Sequence, residues 1–231
     1  MILTIHVARQ LWIQLRLLGI LALPAIATFV AVIVDGQSGS REAGRIALAV
    51  GLATAAVLSA ALVGSGFAEE IRSGAAAWLV VRAVPRTALV GAWFVLPALA
   101  VLVAFVLAGI LAGLALPLAL LQAPDAIAVA VILVAAAAPG LPLSAAGLVV
   151  AVYAPVRVTM VAVIGLAVIV AVPLVMLGDA AVHAASGYWL VAGMDPANRP
   201  ITIGLQAIGL CMAVAGLLWG VAALLFLRRD L

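Results

Sequence analysis

From Leu17 to Val34 the sequence passes through eighteen residues without one charged side chain. Comparable runs recur at about 46–67, 88–114, 126–152, 158–178 and 203–227. A helix needs ~20 apolar residues to cross a bilayer's hydrocarbon, and a helix bonds every backbone N–H and C=O within its own segment, as lipid requires. The chain is therefore expected to be an all-α polytopic membrane protein, a single transmembrane domain over residues 1–231 with six transmembrane helices. Composition points the same way. Apolar residues make up 69% of the 231 and charged residues only 8%, whereas a soluble domain carries roughly 25% charged residues to cover its surface. The apolar bulk is Ala, Val, Leu and Gly, small residues that let helices approach closely where lipid already satisfies apolar surface.

The punctuation between the runs is short. A polar turn, DGQSGSREAGR, separates the first two, Pro124-Asp125 the third and fourth, and Ala154-Pro155-Val156-Arg157 the fourth and fifth. The fourth run contains Pro139 and Pro142, which predicts a kink or break there. Between Gly178 and Thr202 lies the longest loop, and its GYWLVAGM stretch is apolar enough to dip back into the interface. Residues 2–16 differ from the rest. On a helix Ile5, Ala8, Leu11, Trp12 and Leu15 share one side, and His6, Arg9, Gln10, Gln14 and Arg16 the other, the pattern of an amphipathic helix lying in the membrane interface. A signal peptide cut after Ala25-Ile26-Ala27 is the rival reading, but the apolar run continues through that site.

All eleven basic residues are Arg, and the net charge is +3. They stand at the ends of the apolar runs and not in a patch of the kind that holds nucleic acid. With the amino terminus inside, the inner segments hold Arg9, Arg16, Arg72, Arg82, Arg86, Arg157, Arg228 and Arg229, and the outer ones Arg41, Arg45 and Arg199. That asymmetry predicts a multi-pass protein of the cell membrane with both termini cytoplasmic. Cys211 is the one cysteine and lies inside an apolar run, so it forms no intrachain disulfide and reads as a small buried hydrophobe.

No Asp, Glu, Arg or His falls inside the apolar part of any predicted span. Ion-coupled carriers and voltage sensors need such groups, so an ATP-independent secondary carrier survives only if it works through backbone carbonyls and hydroxyls. Intramembrane hydrolysis needs a Ser–His pair, paired Asp or a zinc site, and the histidines here are His6 and His183, both outside the spans. Glu69-Glu70 is similar to the paired glutamates of CAAX-type membrane proteases. That family spaces its Arg four residues after the second Glu, where Arg72 follows by two, and its later intrahelical histidines are missing. The chain is not expected to be an enzyme.

Polar chemistry concentrates in 68–91, AEEIRSGAAAWLVVRAVPRTALVG. Glu69 and Arg72 are three apart, a spacing that allows a pair on a helix surface. Gly74 is placed to end one helical piece, Ala75 to Val81 to form a short helix lying flat, and Pro85 to mark entry into the third span. The segment reads either as a charged hairpin that only fixes topology or as a working contact.

The run Glu70-Ile-Arg-Ser-Gly74, the short apolar helix, then Arg82-Ala-Val-Pro-Arg86 and Thr87 resembles the first cytoplasmic loop of ABC-2 type permeases. In that family an acidic residue, a glycine and an Arg-Pro-Val-Ser-Arg-like turn recur at similar spacing. Here Ala83 stands where the family often has proline, and Pro85 lies two residues later. The amphipathic amino-terminal helix resembles the family's connecting helix. The stretch from Gly140 to Met176 is similar both to these permeases and to the haem-exporter B subunits of cytochrome c maturation. The resemblance implies the membrane-spanning subunit of an ATP-binding cassette transporter, moving an apolar or amphipathic cargo by alternating access, an efflux system by its type. It implies Glu69, Glu70, Arg72, Gly74, Arg82 and Arg86 as the coupling contact to an ATPase subunit. With no Lys in the chain, no Walker A sequence is possible. No cofactor is expected in this chain. ATP and Mg then belong to a separate cytoplasmic nucleotide-binding subunit, and a second permease copy completes a homo- or heterodimer.

Overall fold

The computed structural model describes residues 6, 7, 10, 16–39, 41–81, 84–111, 126–176 and 200–229. Among these every regular element is a helix: α1 (Arg16–Ser38), α2 (Arg41–Arg72), α3 (Ala75–Val81), α4 (Arg86–Leu111), α5 (Ala126–Ala137), α6 (Gly140–Ala151), α7 (Val156–Met176) and α8 (Pro200–Arg228). His6, Val7 and Gln10 are helical as well, and the rest of the expected interfacial helix lies outside the described residues. So do Pro124-Asp125 and the GYWLVAGM stretch with His183. Five helical segments are long and apolar enough to cross a membrane, with Val156–Ile169 a shorter apolar one. This is the architecture of a multi-pass membrane protein.

Prolines and one glycine set the breaks. Pro139 has no N–H and its ring clashes with the carbonyl four residues back, so α5 stops at Ala137 and α6 restarts with Pro139 as its N-cap. Ala138 closes the earlier helix by donating to Val134 O at 3.0 Å. Pro142 is harmless in the first turn of α6, where its N–H would have no helical acceptor. The single run expected over 126–152 is thus two helices. Gly74 ends α2 at φ +75°, the left-handed geometry that glycine adopts without a Cβ penalty. Ser73 N–H donates to Glu69 O at 2.8 Å, and Trp78 N–H to Gly74 O at 3.0 Å, so one residue closes α2 and opens α3.

α2 is the hub, packed against α1, α6 and α7 and touching α3, α4 and α5. It reaches them through small residues. A Cβ on Gly64 would lie 3.0 Å from Gly147 Cα, and one on Gly147 would lie 3.0 Å from Val163 Cγ2. α2 and α6 therefore meet backbone to backbone where both residues are glycine, and α7 closes on the same point through the Thr159 and Val163 side chains. Outer faces are apolar: Phe29, Val161, Ile169 and Leu217 are 64%, 70%, 69% and 74% exposed. Such a surface suits lipid and not water.

Candidate functional site

One end of the bundle gathers the start of α1, the end of α2, α3, the start of α4, the α6–α7 turn and the end of α8. Side chains tie these ends together. Phe67 of α2 is buried between Trp93 of α4 and Phe226 of α8, with ring centroids 6.1 and 5.5 Å away. Arg86 joins α4 to α8, and Arg229 lies over the Tyr153 ring at 5.9 Å. Six arginines (Arg16, Arg72, Arg86, Arg157, Arg228 and Arg229) thereby share one end, and Arg41 and Arg45 open α2 at the other. α2's 32 residues separate those ends by ~48 Å.

The two acids of the 68–91 segment are both paired within the molecule, Glu70 buried and Glu69 about half exposed. Glu70 is buried, its side chain 1% exposed, and its Oε1 lies 2.7 Å from His6 Nε2. Glu69 accepts from Arg16 Nη2 at 2.7 Å. Adjacent residues on the last turn of α2 therefore grip the amino-terminal helical segment and the head of α1. The pair allowed by spacing between Glu69 and Arg72 is not the one formed, and Arg72 stands exposed. A reason is at hand: an exposed pair one turn apart gains little, whereas the largely buried Arg16 guanidinium needs a counter-charge. Its other terminal nitrogen, Nη1, is buried without a hydrogen-bond partner. Gly66 makes room for it, since a Cβ there would lie 2.6 Å from both Arg16 Nη1 and Trp93 Cζ3.

Arg86 is also engaged inside the molecule. Its Nη1 donates to the carbonyls of Phe226, Leu227 and Arg229 at 3.3, 3.0 and 2.6 Å. These are carbonyls left open at the end of α8, and the cation also offsets the negative end of the helix dipole. Arg82 lies outside the described residues. Of the six sequence-predicted site residues, Glu69, Glu70 and Arg86 are internal ties, Gly74 is the hinge, and Arg72 is presented outward. α3 continues that outward face. Ala76 and Leu79 are buried, while Trp78 and Val81 are 53% and 85% exposed.

His6, Arg16, Gly66, Tyr153 and Arg229 are site residues that sequence reasoning did not single out. The polar side of residues 2–16 holds three bases, His6, Arg9 and Arg16, against the two acids in 68–91. Among the described residues no three His, Cys, Asp or Glu gather to hold a metal. The arrangement joins four spans and an amino-terminal segment around one short helix. Compared with known proteins, the chain matches no family model, no curated protein and no solved structure.

Proposed function

We propose that the chain is the permease subunit of an ATP-binding cassette transporter, and that a cytoplasmic ATPase subunit docks on the elbow from Arg72 through α3. The observation that carries this reading is the elbow's wiring. Glu69 and Glu70 bind it to Arg16 and His6, and Arg86 binds it to the end of α8. A push on α3 thus reaches α1, α2, α4 and α8 together, which is what rocking of helix bundles in alternating access requires. Within this reading the contact surface is Arg72, Trp78 and Val81, with Glu69, Glu70 and Arg86 transmitting the load. The arginine-rich end faces the cytoplasm of the cell membrane. ATP and Mg are bound by the partner, two permease copies complete the transporter, and the cargo is apolar or amphipathic.

Affinity purification from native membranes in a mild detergent tests it. The expected result is a stoichiometric ATPase subunit bearing a Walker A sequence. ATP hydrolysis should depend on that subunit and be absent from the purified permease. Purification without any ATPase, together with transport that collapses with the proton gradient at constant ATP, would establish a secondary carrier. Co-purification of haem-ligation proteins would favour the cytochrome-maturation alternative.

A further inference from the structure

We propose that the α6–α7 turn and the first turns of α7 form a binding site for an anionic phospholipid. At the start of α7 an open groove of about 300 Å³ is lined by Arg157, Val158, Val161 and Ala162. Val158, Val161 and Ala162 lie one helical turn apart on one side, an apolar strip leading along the span from the arginine. Arg157 is exposed, and among the described residues neither ion pair includes it. Ahead of the groove, the turn's aromatic ring packs against a different cation. Arg229 lies 5.9 Å over the ring of Tyr153, and Tyr153 is itself 62% exposed. Thr159 N–H is bonded back to Pro155 O at 2.9 Å, so the amides ahead of it add their partial positive charge at the helix end.

Charge and shape together select the occupant. One arginine at the head of an apolar strip asks for an anionic head carrying a hydrocarbon tail. A soluble phosphate would leave the strip uncovered, and a zwitterionic lipid would bring an ammonium group towards the Arg157 guanidinium. The groove starts where α7 leaves its polar turn, the depth at which head groups meet hydrocarbon. Basic pockets beside spans hold anionic head groups at that level, and Tyr153 suits the same zone as an interfacial aromatic. The proposal rests on the helices being membrane spans and not on the transport reading.

Native mass spectrometry of the chain in dodecyl maltoside tests it, with phosphatidylglycerol and phosphatidylcholine of identical tails in competition. Phosphatidylglycerol should be retained preferentially and raise the thermal midpoint. Arg157→Gln should cut that preference roughly fivefold, the worth of one surface arginine towards an anionic head group. Val161→Trp fills the strip and should reduce phosphatidylglycerol retention with Arg157 intact. Arg72→Gln removes an exposed cation of the same end but outside the groove, and should leave the preference unchanged. Both groove positions are exposed, so these variants should fold. Equal retention of the two lipids overturns the proposal, as does an unchanged preference in Arg157→Gln. An equal loss in Arg72→Gln would show general surface charge, and an equal midpoint rise with inorganic phosphate would show an ion site without lipid. Either result overturns it too.

Discussion

The middle of the bundle and its arginine-rich end hold α2 by different physics. In the middle, α2 meets α6 and α7 where Gly64 faces Gly147, and contact is a matter of shape. At the end, α2 is held by directed bonds from Glu69 to Arg16 and from Glu70 to His6. Shape complementarity in lipid tolerates no added atom, yet it offers nothing that a partner or a chemical signal can switch. Directed bonds tolerate change better and can be remade. The comparison predicts that changes in the middle act on stability, and the proposed coupling role is tested at the end.

Enlarging a residue in the middle should give the largest effect. Gly64→Leu forces the α2 and α6 backbones apart and should cost ~3 kcal/mol or more, and Gly64→Ala ~1–3 kcal/mol. Thermal unfolding in detergent and the yield of monodisperse protein measure this. A Gly64→Leu variant as stable as wild type would show that the helices do not cross there, and the contrast with the other end would disappear.

Gly74 sharpens the boundary between the two regions, since it stands at the hinge where α2 gives way to α3. At φ +75° a side chain costs ~1–2 kcal/mol, so Gly74→Val should be destabilising and Gly74→Asn nearly tolerated. Gly74→Pro should be the worst, because proline locks φ near ~−65°. No helix runs through Gly74; the penalty comes from the turn. Thermal midpoints should fall in the order Gly74→Asn, Gly74→Val, Gly74→Pro, and equal midpoints would remove the hinge.

The hinge and the break at Pro139 were legible in the sequence because glycine and proline act through their own backbone. The sequence places a helix end at Gly74, a short helix over Ala75 to Val81 and a kink or break at Pro139. The apolar runs were legible for a similar reason, since crossing lipid depends on length and composition alone. The partners of Glu69 and Glu70 were not legible. Arg16 and His6 lie 53 and 64 residues away in sequence, and only the approach of α1 to α2 decides which base meets which acid. Spacing offered Glu69 a local partner in Arg72, and tertiary contact supplied a better one. Arg86 was read as part of a docking loop for the same reason: nothing local announces that the end of α8, 140 residues on, will arrive beneath it.

Burial separates the two acids. Glu70→Ala removes a buried hydrogen-bonding group and should cost ~1–3 kcal/mol. Glu69 is itself 47% exposed, but its change to Ala leaves the largely buried Arg16 guanidinium without a counter-charge, so it should also cost ~1–3 kcal/mol, through its partner and not through its own burial. A His6→Ala/Glu70→Ala double-mutant cycle should return a clear coupling energy. Additive effects in that cycle would mean that the amino-terminal segment is not held by Glu70.

Arg72→Gln should have the smallest effect on the fold and carries the sharpest test of what the end is for. Its side chain is exposed, and a substitution at such a site changes stability by no more than ~0.5 kcal/mol. If the end only anchors topology, activity should follow stability, and Arg72→Gln should transport like wild type while Glu70→Ala is impaired in proportion to its lost stability. If α3 receives an ATPase, the order reverses. Arg72→Gln combined with Val81→Ser, a position 85% exposed, would keep the melting behaviour of the parent and lose coupled ATP hydrolysis, because the docking face is altered while the Arg16, His6 and Arg86 ties remain. Thermal midpoint and transport rate measured on the same preparations decide between these outcomes. A double variant that binds its ATPase and transports at the parental rate would reduce the elbow to an anchor and remove the coupling role proposed for this end.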